Sequence, residues 1–313
     1  MVNRQTTSTP NLSVNIAGIQ MKNPVMTASG TFGFGVEYAD LIDLNSIGAI
    51  VVKGICLHGA RGNNPPRIVE VPGGLLNAIG LQNPGVDGFL NTHLPALRQY
   101  DTPVIVNIWG TKIEEYALVA EKLDGVEGVS GLELNISCPN LEEGGNAFGT
   151  NVHTAAKVVS TVRRVTSLPI IPKLPPNMPD VGLLAKVCED SGADAISLIN
   201  TFPAMVIDIE TRRPILANKT GGLSGPAIHP IAVKLVWDVY KSVKIPIIGM
   251  GGITSAKEAI EFMIAGASAV AVGTATFMAP DTIQNTVDGL KDYLVRKNIS
   301  DLHNLTGSIV TNS

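Results

Sequence analysis

A closed (β/α)8 barrel of the α/β class is predicted for this 313-residue chain from three features. Eight short runs of β-branched and other apolar residues recur along it, each ending in or near Gly, Asn, Lys or Thr. Amphipathic stretches of helical spacing separate most of them. Two connections, after the second and the sixth run, are much longer than a turn requires. Strands alternating with helices build parallel βαβ units, and eight of them in about 250–300 residues suffice to close a barrel. An open doubly wound sheet is the other arrangement such alternation permits; the count of eight favours closure.

The runs lie at residues 24–29, 48–53, 103–108, 131–136, 169–174, 195–200, 245–249 and 269–273. Their apolar residues are continuous rather than alternating, the pattern of strands buried on both faces. Helical spacing covers 86–100, 114–123, 151–165, 181–191, 230–243, 256–265 and 282–296. Asn151, Asp180 and Ser255 stand at N-cap positions, where a short polar side chain accepts from an otherwise unpaired backbone N–H. The long connections, 54–85 and 201–225, carry Gly62-Asn63-Asn64-Pro65-Pro66, Pro72-Gly73-Gly74, Phe202-Pro203, Arg212-Arg213-Pro214 and Gly221-Gly222. Both follow strand C-terminal ends, the face on which barrels carry their chemistry, and connections of this length are usually functional. With no linker, low-complexity tract or repeat beyond the βα alternation, residues 1–313 are expected to form one domain.

Hydrophobic residues make up 45% of the chain and charged ones 16%, a composition that supports a sizeable core. A net charge of −4 and 4% aromatic residues argue against nucleic acid and against an anionic membrane surface. Cys56, Cys138 and Cys188 are far apart and form no CxxC pair, so no zinc or iron–sulfur ligand set is recognisable within this chain. Residues 1–12 are polar and no segment has the length of an apolar membrane span. A cytoplasmic protein without membrane association is expected.

The stretch Leu132-Glu133-Leu134-Asn135-Ile136-Ser137-Cys138-Pro139-Asn140 begins as a strand and breaks where its polar residues arrive. Pro139 cannot donate to a ladder, so the strand ends before it. Gly144, Gly145 and Gly149 follow, giving the freedom a closing loop needs. A thiol between two carboxamides at a strand end points to chemistry, against the commoner fate of a buried inert cysteine. Gly249-Met250-Gly251-Gly252-Ile253 and Gly273-Thr274-Ala275 end the last two strands and precede helices. Barrels bind phosphate at such turns, because backbone N–H groups and a helix dipole meet the anion there. Gly30-Thr31-Phe32-Gly33-Phe34-Gly35 lacks dinucleotide-fingerprint spacing and is taken as a turn.

Lys53 and Lys173 end buried runs and need anionic partners there. A Schiff-base lysine, or a cation facing a reduced flavin or a substrate carboxylate, are the open possibilities. Asn77, Asn107, Asn135, Asn140 and Asn200 offer uncharged donors and acceptors suited to a ring bearing alternating N–H and C=O groups. No strand-end carboxylate pair, HExxH or Ser-His-Asp signature is present, and His58, His153 and His229 are expected in loops or at helix starts.

The run Asn135–Asn140 followed by Gly144-Gly145-Asn146-Ala147-Phe148-Gly149-Thr150 resembles dihydroorotate dehydrogenases of class 1, most closely the catalytic subunit of class 1B. The likeness extends to Asn23-Pro24, Ala28-Ser29-Gly30, Lys53-Gly54, Asn63-Asn64-Pro65-Pro66-Arg67, Asn77-Ala78-Ile79-Gly80-Leu81, Asn200-Thr201 and Gly221-Gly222-Leu223-Ser224-Gly225-Pro226. With the two terminal glycine turns it covers nearly the whole chain. It implies an FMN-binding barrel that oxidises dihydroorotate to orotate in pyrimidine biosynthesis, with Cys138 as the base that takes the C5 proton. Lys53, Asn77, Asn135, Asn140, Asn200 and Thr201 would hold substrate, with Ala78, Ile79, Gly80 and Leu81 beside it.

By the same resemblance Ser29, Lys53, Gly54, Asn107, Asn135, Lys173, Ile199 and Gly225 would line the flavin. Gly251, Gly252, Gly273 and Thr274 would take its phosphate. No metal is implied. Electrons would pass to a partner subunit carrying FAD and a [2Fe-2S] cluster and then to NAD+, in a heterotetramer built on a homodimer of this chain. Class 2 relatives have Ser at the base position and membrane-associating helices; Cys138 and the plain N-terminus fit class 1. The competing readings are a class 1A enzyme linked to fumarate, a dihydropyrimidine dehydrogenase-like subunit and a phosphate-binding aldolase-type barrel. Ile55-Cys56 and Trp109 depart from the family's usual pattern and alter the expected flavin surroundings.

Overall fold

All eight apolar runs are strands of one parallel sheet in the computed structural model, which describes residues 10–137 and 148–311. They are β1 (Val25–Thr27), β2 (Ile50–Ile55), β3 (Val104–Ile108), β4 (Gly131–Asn135), β5 (Ile170–Leu174), β6 (Ile196–Leu198), β7 (Ile247–Met250) and β8 (Ala269–Val272). Hydrogen bonding runs β1-β8-β7-β6-β5-β4-β3-β2. The ends of that order meet through a parallel bridge between Met26 and Ala49. Val51 N donates to Thr27 Oγ1 at 2.8 Å and Gly48 N to Val25 O at 2.8 Å, so the sheet closes as a (β/α)8 barrel. Gly48 is required at that seam, because a Cβ there would stand 2.2 Å from Asn23 O.

Every residue of β1, β3, β4, β5, β6, β7 and β8 is buried. That accounts for their continuous apolar runs: one face fills the barrel and the other receives the helices. Val158 and Val162 of the helix Val152–Arg163, and Leu184 and Cys188 of the helix Val181–Asp190, belong to the same core. The three expected N-caps are in place. Asn151 Oδ1 accepts from His153 N, Asp180 Oδ1 from Leu183 N, and Ser255 Oγ from Lys257 N, while Glu258 reaches back to Ser255 N.

Three features differ from the sequence expectation. The helix expected over 86–100 is Gly85–Gly88, a π turn Phe89–His93 and Leu94–Leu97. Pro95 has no N–H and its ring opposes the carbonyl four residues earlier, so the ladder widens there. The two long connections are not simple loops. They supply Ile68–Val71, Gly74–Asn77, Phe202–Ala204 and Gly221–Ser224 to one antiparallel sheet, with Leu76, Ala78 and Leu216 as its own small core. A hairpin, Val14–Ile16 with Ile19–Met21, lies against the start of β4, where a Cβ on Gly131 would be 2.9 Å from Ile19 Cδ1.

Candidate active site

A cavity of about 590 Å³ opens at the C-terminal ends of β1, β5, β6, β7 and β8, a size suited to a small-molecule ligand. Ser29, Lys173, Ile199, Gly225, Gly251, Gly252, Gly273 and Thr274, all expected at a cofactor, line it together with Asn200 and Thr201. At Gly225, Gly251 and Gly252 the chain has no room for a side chain. Gly252 has φ +67, and a Cβ on it would lie 2.8 Å from both Gly225 O and His229 Cβ. His229, missed as a site residue in the sequence, fixes this turn: its Nδ1 is 2.9 Å from Gly251 O and its Nε2 2.9 Å from Glu261 Oε2. Thr274 Oγ1 donates to Ser224 Oγ at 2.8 Å, tying the turn after β8 to the antiparallel sheet.

Lys173 on β5 is only 5% exposed, which requires compensation of its charge. Its Nζ donates to Ser29 Oγ at 3.1 Å and stands 3.8 Å from Glu133 Oε2 on β4. Glu133, itself 3% exposed, also accepts from Asn107 Nδ2 at 2.6 Å and from Ser197 Oγ at 2.9 Å. The carboxylate escaped notice because it sits in the middle of an apolar run rather than at its end. Asn107 thereby turns Oδ1 toward Gly54, where a Cβ would be 2.9 Å from it and 3.1 Å from Trp109 Cδ1. The buried Trp109 Nε1 and Ser137 Oγ have no hydrogen-bond partner among the described residues.

Of the carboxamides singled out in the sequence, Asn135 and Asn200 meet directly. Asn200 Nδ2 donates to Asn135 Oδ1 at 3.0 Å, Asn135 Oδ1 also accepts from Ser137 N, and Asn200 Oδ1 accepts from Thr201 N. Thr201 packs so closely on Gly222 that a Cβ there would overlap its hydroxyl, and Gly222 O accepts from Asn77 Nδ2. The antiparallel sheet thus carries Asn77 across from one long connection to the strand-end residues of the other. Tyr116 OH donates to Asn135 O at 2.8 Å and holds the end of β4 from outside the barrel.

Lys53 lies within β2 rather than at its end, at a register shift between Val52 and Ile55. Its N–H leaves the ladder for Gly33 O at 2.9 Å, the local kink by which a bulge re-aims a side chain. Burial lowers the Lys53 pKa; Glu37 opposes that shift and Arg67 adds to it. Leu81, at φ +53, brings its side chain within 3.6 Å of a Cβ placed on Gly54. Asn63 holds the turn before it, through Nδ2 to Ala78 O and its own N–H to Ile79 O, and packs against Gly80. Asn83, also missed in the sequence, fastens this segment to β2: it accepts from Cys56 N and Gly85 N and donates to Leu81 O.

Cys138 and Asn140 lie outside the described residues. Of the other cysteines, Cys188 is fully buried and burial pushes its thiol up to about 12, which makes it inert. Cys56 is buried against Asn83. No group of three or more His, Cys, Asp or Glu that could hold a metal occurs among the described residues, and none of their helices is long and apolar enough to cross a membrane.

A cradle of glycines beside a buried lysine fits a phosphate-bearing, redox-active ring cofactor, and the adjoining amides fit a polar ring substrate. The class so defined is an oxidoreductase barrel with its site at the C-terminal strand ends. Residues 11–294 match the family model for dihydroorotate dehydrogenase. The chain is 57% identical over 300 residues, 96% of this chain and 98% of the relative, to a Geotalea daltonii protein named dihydroorotate dehydrogenase B (NAD(+)), catalytic subunit. A Thermoanaerobacter pseudethanolicus protein of the same name is 54% identical over 299 residues, 96% and 99% of the two chains. The chain belongs to the dihydroorotate dehydrogenase family.

Proposed function

We propose that this chain oxidises dihydroorotate to orotate in pyrimidine biosynthesis, holding FMN in the 590 Å³ cavity. The observation that carries the reading is the joining, on one barrel face, of a glycine cradle, the buried Lys173 cation and the linked amides of Asn135 and Asn200. Bound FMN supplies the hydride acceptor for substrate C6. Gly251, Gly252, Gly273 and Thr274 hold its phosphate, while Ser29, Gly54, Asn107, Lys173, Ile199 and Gly225 surround the ring and its chain. Lys173 puts positive charge where a reduced flavin is stabilised by it.

On the substrate side Asn77, Asn135, Asn140, Asn200 and Thr201 pair with ring N–H and C=O groups, Lys53 faces the carboxylate, and the segment 78–81 closes beside it. Cys138 takes the C5 proton. A thiol with an ordinary pKa of ~8.5 is mostly protonated at neutral pH, so the loop that carries it must orient it and exclude water. The relatives' designation as a catalytic subunit of an NAD(+)-linked enzyme supports a partner subunit as the route to NAD+; FAD and a [2Fe-2S] cluster in that partner would carry the electrons. A heterotetramer around a dimer of this chain is the assembly this implies.

The purified chain, mixed alone and without oxygen with dihydroorotate, is expected to bleach the flavin band. Reoxidation by fumarate alone would instead mark a fumarate-linked enzyme, and a colourless chain after reconstitution with FMN would remove the basis of the reading. Gly252→Ala, placing a Cβ against backbone at positive φ, is expected to cost on the order of 1–3 kcal/mol of stability and to reduce FMN retained through gel filtration. Unchanged retention would detach this turn from the phosphate.

A further inference from the structure

We propose that Glu133 is a positioning residue that sets the reduction potential of the cofactor site, an inference resting on the FMN reading above. Nothing in substrate or cofactor binding requires a carboxylate inside a barrel, where an ionised group is costly unless paired. Here the cost is offset from three strands at once. Asn107 Nδ2 (β3) and Ser197 Oγ (β6) each donate to one of its oxygens, and Lys173 Nζ (β5) stands 3.8 Å away. Each of its two oxygens accepts one hydrogen bond, Oε2 from Asn107 and Oε1 from Ser197.

Two consequences follow, one for Asn107 and one for Lys173. A carboxylate can only accept, so Asn107 must point its amide N–H at Glu133 and its carbonyl oxygen toward Gly54. Lys173, the buried cation lining the cavity, has its charge partly balanced by a neighbour that does not line it. Reduction of FMN adds negative charge at the site. A fixed carboxylate behind the lysine therefore opposes that reduction, and holds the potential lower than an unbalanced lysine would.

The test is the midpoint potential of FMN bound to the full chain, measured by dye equilibration. Glutamine at this position can accept from Asn107 and donate to Ser197, so the network keeps its partners while the charge is removed. Glu133→Gln is expected to favour the reduced state about tenfold or more, an upward shift of about 30 mV for a two-electron couple. Glu133→Asp, which keeps the charge, is expected to stay near the unaltered value. Should Glu133→Gln lose the fold, the double variant with Lys173→Met, which leaves no buried charge unpaired, is compared with Lys173→Met alone and should show the same upward step. An unchanged potential on removal of the carboxylate, with FMN bound, overturns the inference alone. Equal shifts in Glu133→Gln and Glu133→Asp overturn it too, since charge would not be the cause. Failure of the unaltered chain to bind FMN overturns the functional reading and this inference with it.

Discussion

Cys138→Ala is expected to retain FMN and to lose turnover by about 10²–10⁴-fold, the span associated with one positioned acid or base. The expectation rests on the notion that C5 gives up its proton to this side chain and that water is kept from substituting for it. Flavin content and near-ultraviolet absorbance should match the unaltered chain. Cys138→Ser should recover part of the activity, and more of it as pH rises, since a hydroxyl is a far weaker acid than a thiol. Full turnover in the alanine variant would sink the general-base assignment.

Loss of the Lys53 cation is expected to have the second largest effect. A charge-assisted hydrogen bond contributes about 1.5–3 kcal/mol, so Lys53→Met should raise KM for dihydroorotate by roughly 10–100-fold while flavin retention changes little. The pH dependence has a definite sign. Burial disfavours the charged form and lowers the Lys53 pKa, so this ammonium loses its proton at a lower pH than a surface lysine does. In the unaltered chain KM should therefore begin to climb on the alkaline side before the ordinary lysine range near ~10.4. In Lys53→Met that climb should be absent. A variant with unaltered KM would remove the residue from substrate binding.

The barrel is legible in the amino-acid pattern alone, and the reason is local. A strand buried on both faces must be apolar along its whole length, and a helix that covers it must repeat at helical spacing, so both patterns survive without knowledge of any contact. The same holds for Asn151, Asp180 and Ser255, whose capping bonds reach only two or three residues. The glycine turn after β7 is legible because backbone approach excludes a side chain at Gly252.

Which of these residues meet depends on the closed fold. Asn77 lies 145 residues from Gly222, yet one antiparallel ladder makes them neighbours, and Gly222 in turn packs on Thr201 beside Asn200. Glu133 and His229 showed no motif, since their partners, Lys173, Asn107 and Ser197 for one and Gly251 and Glu261 for the other, come from separate strands and helices. Hydrogen bonds between side chains impose no spacing along the chain; a strand or a cap does. The chemistry of single residues could therefore be read from the sequence, whereas the circuit that binds a buried carboxylate to a buried lysine needed the closed barrel.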